Sequence, residues 1–184
     1  MNAELLELRL CGRADQGVIL GRTVLAAAFM RDGWFLAPTP WAIDERRDAP
    51  VTATVRVVAA PMRRDTDVTQ SSVTLVLDPT LLARLADASP VDGALLLVNA
   101  PIVPCARMPG GDRAVAVDAA AIADRHGLGP LVVTAMLGAF GALTGRLEIH
   151  DLLAAVDACV PANAAAHVAA CRDGWAVTMA MSVA

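Results

Sequence analysis

The chain has 184 residues, of which 56% are apolar and 18% charged, and a formal net charge of −4 at pH 7. That length suits one domain, residues 1–184, with a full hydrophobic core. The negative balance gives no electrostatic footing for nucleic acid, and no apolar run is long enough to suggest a membrane span.

Aromatic residues make up only 3% and tyrosine is absent, so alanine and valine carry the apolar excess. Small side chains imply closely approaching elements, and the excess points to a surface partly covered by partner subunits. Met1-Asn2-Ala3-Glu4 shows neither the basic nor the apolar region of a signal peptide, so the expected location is cytoplasmic. Cysteines stand at 11, 105, 159 and 171, none at C-x-x-C spacing. They signal neither a zinc site nor a local iron–sulfur cluster, and reduced thiols are expected.

In chain order, Leu5 to Leu10 alternates as a strand and meets the glycine-bearing turn Cys11-Gly12-Arg13-Ala14-Asp15-Gln16-Gly17. Val18 to Met30 is helix material, ended by Arg31-Asp32-Gly33. Trp34 to Ala37 reads as a short strand, and Pro38-Thr39-Pro40 leads into a polar loop, Asp44-Glu45-Arg46-Arg47-Asp48. Val51 to Val58 is rich in β-branched residues and reads as a strand. Pro61 to Ser72 reads as loop, Val73 to Leu77 as a buried strand, and Leu81 to Ala88 as a helix capped by Thr80.

Ala94 to Val98 and Ala114 to Val117 are further strands, with surface loop between them around 101–111. Helices are expected over Ala119 to His126, Val132 to Leu143, Asp151 to Cys159 and Pro161 to Arg172, then a terminal strand near Trp175-Ala176-Val177. Uninterrupted Val/Leu strands fit a sheet covered on both faces. The expected fold is a three-layer α/β/α sandwich whose mostly parallel sheet is made mixed by hairpin-like pairing near 34–58.

In such a fold, ligands meet the loops beyond the carboxyl ends of the strands. Arg13 to Gln16, Asp78, Asn99 and Asp118 stand there. The simpler reading of Asp78 and Asp118 is as helix caps. Gly12-x-Ala14-x-x-Gly17 imitates the dinucleotide fingerprint, but Ala14 puts a methyl, and Asp15 a negative charge, where a phosphate would approach. Two unit charges at about 4 Å repel by roughly 1 kcal/mol even in water, so NAD binding by this chain is not expected.

The 44–48 run reads as a solvated loop of local ion pairs, or as a shaped loop whose adjacent arginines fork onto phosphate or a partner's carboxylates. His126, His150 and His167 lack neighbours at metal spacing and read as surface or capping histidines. There is no nucleophile–base set, so the chain is poorly equipped to act alone.

Taken in order, these landmarks resemble the gamma subunit, or gamma domain, of the 2-oxoacid:ferredoxin oxidoreductases, the pyruvate synthase family. Gly12 to Gly17 matches the family's Gly-x-Gly-Gly-Gln-Gly, and Asp44 to Asp48 its Pro-Glu-Arg-Arg-Gly. Asp78-Pro79-Thr80-Leu81-Leu82 matches Asp-Pro-x-Leu-Leu, Val98-Asn99 a strand ending in Asn, and Val117 to Ala123 the family's Val-Asp-Ala-x-x-Ile-Ala. Val133 to Ala139 matches Asn-Thr-x-Met-Leu-Gly-Ala. The departures are Ala14, Asp15, Asp44, Asp48 and Val133.

The resemblance implies a subunit of an enzyme that decarboxylates a 2-oxoacid oxidatively to an acyl-CoA. Electrons would pass to ferredoxin or, through a flavin- and NAD-binding subunit, to NAD. Thiamine diphosphate, Mg2+ and iron–sulfur clusters would reside in partners, namely thiamine-binding alpha and beta subunits and a ferredoxin-like subunit, with coenzyme A as substrate. This chain would bind none of these groups alone and would help shape the active-site and coenzyme A region. The residues carried over to that region are Arg13, Gln16, Gly17, Glu45, Arg46, Arg47, Asn99 and Thr134. The alternative is a non-catalytic scaffold of the same complex. Which 2-oxoacid, which acceptor and what stoichiometry stay open.

Overall fold

A computed structural model describes residues 3–38, 50–59, 68–83, 95–102 and 114–183. Among these, β1 (Ala3–Gly12), β2 (Phe35–Leu36), β3 (Val51–Val58), β4 (Val68–Val76), β5 (Leu95–Asn99) and β6 (Ala114–Val117) form one sheet in the order β2-β3-β1-β4-β5-β6. β1, β4, β5 and β6 pair in parallel, whereas β3 is antiparallel to both β1 and β2. The sheet is therefore mixed, as the 34–58 pairing leads one to expect. Helices α1 (Val18–Arg31), α2 (Ala119–Arg125), α3 (Val133–Thr144), α4 (Ile149–Cys159) and α5 (Ala164–Val183) pack around it to give an α/β fold.

The alternation in β1 sets the core. Leu8 lies between Val55 and Val73, and Leu10 between Ala53 and Leu75, all turned to one face. The same buried cluster takes in Val24, Leu25 and Phe29 of α1, Ile122 of α2, Phe140 of α3, Leu152 of α4 and Cys171 of α5. Fully burying a side chain of this size contributes about 1.5–3 kcal/mol. The opposite face pairs Glu7 with Arg56 across β1 and β3 at 3.5 Å, and carries a smaller apolar cluster of Val76, Leu96, Val98 and Ala116.

The closest helix contact is between α3 and α5. A methyl on Gly138 would collide with the backbone carbonyl of Cys171, and one on Gly174 with that of Ala135. Beyond this crossing α5 exposes Val177, Met179 and Met181, and at one edge of the sheet β2 exposes Phe35 and Leu36. No described helix is long and apolar enough to cross a membrane.

Three expectations need correction. Residues 68–72 are strand, not loop: β4 pairs in parallel with β1 from Val68 onward, so the polar half of β4 is held by a neighbour far away in the sequence. Of the two caps read after β4, the structure has Asp78 rather than Thr80, because Asp78 accepts from the Thr80 N–H at 3.0 Å and Pro79 occupies the first helical position. A 3-10 turn, Pro79–Leu81, follows, and residues 84–88 of the expected helix lie outside the described residues. The terminal strand is absent, since α5 runs unbroken through Trp175 to Val177.

Candidate functional site

β1 and β4 are parallel neighbours, but from β1 the chain first builds β2 and β3 on one side before crossing to β4 on the other. The gap between the two carboxyl ends is thus a topological switch point, where open α/β sheets seat ligands. The 12–17 loop stands on one side of it and the Leu77–Asp78 turn on the other.

Local geometry explains the loop's sequence. Gly17 has φ +85°, a conformation in which side-chain-bearing residues are strained, and its carbonyl accepts the first helical bond of α1 from Gly21 at 2.8 Å. A Cβ on Gly12 would fall 2.8 Å from Gln16 Oε1 and 2.9 Å from Leu77 Cβ. Between them, Ala14–Gln16 forms a 3-10 turn with Ala14 and Asp15 exposed. Neither has positive φ, so the two departures from the glycine motif fall where the backbone does not require glycine.

The loop is bonded to the chain's own strands. Gln16 Oε1 accepts from the Arg13 N–H at 2.8 Å, and Gln16 Nε2 donates to the Leu77 carbonyl at 3.1 Å. Asn99 Nδ2 donates to the same carbonyl at 2.9 Å, while Asn99 Oδ1 accepts from Ala120 N–H at the start of α2. The Leu77 N–H donates in turn to Cys11 O at 2.7 Å. One residue, Leu77, therefore ties together the ends of β1, β4 and β5 through its backbone N–H and carbonyl.

Outside this ring, Arg13 Nε donates to Asp78 Oδ2 at 2.6 Å and its Nη2 to Thr80 Oγ1 at 3.4 Å. Burial by itself raises the Asp78 carboxyl, but the bonds from Arg13 and Thr80 outweigh it and hold the group below its ordinary value. It stays ionised at neutral pH and makes a poor proton acceptor. The arrangement can orient a loop and present a cation. It does not supply a nucleophile with its base.

Of the residues carried over from the sequence, the structure brings together Arg13, Gln16, Gly17 and Asn99. Thr134 lies elsewhere, fully buried between α3 and α5, with its hydroxyl 3.2 Å from His167 Nδ1. Glu45, Arg46 and Arg47 fall outside the described residues. Asp78 and Thr80 were missed as partners of the loop: the sequence puts Asp78 just past a strand end, but no spacing pairs it with Arg13, 65 residues away. Among the described residues no group of three His, Cys, Asp or Glu could hold a metal ion. Cys11 and Cys171 are buried, and burial pushes the Cys171 thiol up to about 12.

A family model for pyruvate ferredoxin/flavodoxin oxidoreductase matches residues 7–177. The chain belongs to that family. Among oxidoreductases of this family it is similar to gamma chains. It is 33% identical over 160 residues to the pyruvate/ketoisovalerate oxidoreductases common subunit gamma of Thermococcus kodakarensis, covering 83% of this chain and 85% of the relative. It is 34% identical over 155 residues to pyruvate synthase subunit PorC of Methanosarcina barkeri, with the same coverage.

Among solved structures, pyruvate oxidoreductase subunit PORC of Thermotoga maritima superimposes with a TM-score of 0.74 at 26% identity, over 94% of this chain and 96% of that one. A 2-oxoglutarate:ferredoxin oxidoreductase from Magnetococcus marinus, solved with 2-oxoglutarate, coenzyme A and succinyl-CoA, shares the fold at a TM-score of 0.67. At 15% identity the present chain covers 32% of that longer one, so it corresponds to one part of it.

Proposed function

We propose that this chain is the gamma subunit of a multisubunit, thiamine-diphosphate-dependent 2-oxoacid:acceptor oxidoreductase, which forms an acyl-CoA and passes the electrons to ferredoxin or, through a flavin- and NAD-binding subunit, to NAD. In this reading it packs on thiamine-binding alpha and beta subunits beside a ferredoxin-like subunit. Its switch-point edge then faces the active-site and coenzyme A region. The observation that carries the proposal is the match to gamma chains over 83% of this chain and 85% of the relative. Thiamine diphosphate, Mg2+ and the clusters belong to the partners and supply the decarboxylation and electron chemistry. This chain's residues orient and screen, because among the described residues its edge holds a cation and a bonded loop, and the carboxylate there, Asp78, is held ionised.

Anaerobic purification through a tag on this chain tests the assembly. Thiamine-binding and ferredoxin-like chains should be retained, and an active monomer without them would overturn the reading. Arg46→Ala and Glu45→Ala in the intact complex test the role of the second candidate loop, and a large loss of turnover is expected.

A specific observation favours the second reading, a non-catalytic scaffold. Both ends of the Gln16 amide are taken up by the chain's own backbone. Under that reading, the substitutions at Glu45 and Arg46 leave turnover unchanged while assembly persists.

A further inference from the structure

Asp78 and Arg13 stand 65 residues apart in sequence and close the switch point from its two sides. The members of the pair are covered unequally: the Asp78 side chain is 13% exposed and that of Arg13 42%. The carboxylate therefore sits inside and the guanidinium outside. Asp78 is fixed in turn, since its Oδ1 accepts from both the N–H and the Oγ1 of Thr80, at 3.0 and 2.7 Å. Its preceding peptide is the Leu77 carbonyl on which Gln16 and Asn99 converge. Arginine has a long side chain with several rotatable bonds, and a short charge-assisted bond to a fixed carboxylate confines it to one direction.

We propose that Asp78 is a positioning residue. It holds the Arg13 guanidinium outward at the carboxyl edge, where it meets an anionic group of coenzyme A. The proposal deepens the reading of this edge given above and rests on it. Asp78 touches no substrate itself and acts through Arg13. Asp15, exposed on the same turn, adds a negative charge to the approach. A fixed direction for the neighbouring cation thus matters more here than in a loop of glycines.

The test uses the complete, anaerobically assembled enzyme carrying Asp78→Ala, Asp78→Asn, Arg13→Ala and the double substitution, with coenzyme A and 2-oxoacid varied separately. Losing one charged hydrogen bond of this kind corresponds to a rise of about tenfold in the KM for coenzyme A. Asp78→Ala and Arg13→Ala should each show that rise, the KM for the 2-oxoacid staying in place and the effect falling on KM rather than kcat. The double substitution should be no worse than Arg13→Ala, because Asp78 acts only through Arg13. Asp78→Asn keeps an acceptor without the charge and should fall between.

If Arg13→Ala raises the coenzyme A KM but Asp78→Ala and Asp78→Asn do not, the positioning role is overturned while the reading of the edge stands. If both residues change only the melting temperature and no kinetic constant, the edge does not face coenzyme A and both fall. Should Asp78→Ala fail to assemble, Asp78→Asn decides on the same criteria.

Discussion

Arg-Asp-Gly-Trp occurs twice in this chain, at 31–34 and at 172–175, and the two copies behave in opposite ways. In the first copy the helix stops. Asp32 caps α1 through its N–H to Ala28 O, Gly33 turns left-handed at φ +85°, and Trp34 folds back edge-on against Phe29 with ring centroids 5.5 Å apart. In the second copy the helix continues. Asp173 is paired with Arg125 at 3.2 Å and His126 at 2.9 Å, and Gly174 lies against the Ala135 backbone of α3. A methyl at Gly33 would meet nothing within 4 Å, whereas at Gly174 it would enter the neighbouring helix. A glycine ends a helix when the surroundings leave its conformation free, and serves close approach when another backbone already occupies that space.

The contrast can be broken by substitution, and the largest effect should come from Gly174→Ala. It forces α3 and α5 apart, at about 3 kcal/mol, near the upper end of overpacking costs. The gain in helix propensity, about 1 kcal/mol, does not offset it. Gly33→Ala adds a side chain in open space and costs only the left-handed strain, about 1 kcal/mol. Urea midpoints of the two purified variants read the difference directly, and equal shifts would contradict the contrast.

The α3–α5 contact should also respond to pH. Burial lowers the pKa of His167 from an unfolded value near 6.5. The unfolded chain therefore takes up the proton first, and stability falls as pH drops below about 6.5 toward the lower folded value. Urea melts between pH 7.5 and 5 should show this slope, and His167→Gln should reduce it. The smallest effect is expected at the exposed aspartates. Asp173→Ala loses a partly exposed ion pair with Arg125 and a hydrogen bond with His126, and Asp32→Ala loses its bond to Trp34 Nε1. Each should cost about 0.5 kcal/mol. A double-mutant cycle of Asp173 with Arg125 isolates the pairwise part.

What the sequence conceals follows from the same physics. The first strand, the glycine turn and α1 are legible because alternation, a left-handed glycine and a helical run are all local signals. The polar stretch 68–72 reads as loop because its strand character comes from β1, some 65 positions away in the chain. The continuation of α5 depends on Ala135, which no neighbouring residue reveals. At the site, Gln16 is legible as a motif residue, but its bond to the Leu77 carbonyl is not. Nor is the Arg13–Asp78 pair, which has no spacing signature. Thr134 stands in a motif of the same order, yet its hydroxyl faces His167, because the motif marks the α3 face that meets α5.

The methionines of this fold make it a chemical recorder of its own coverage. Met136 is fully buried, while Met30, Met179 and Met181 are about half exposed, on α1 and on the far turns of α5. Thioether oxidation follows access and adds a readily weighed oxygen. Brief peroxide treatment of the free chain should therefore label the outer three and spare Met136. The same treatment of the assembled enzyme, read by peptide mass, would show which helix ends are shielded by another subunit, with Met136 as the internal blank.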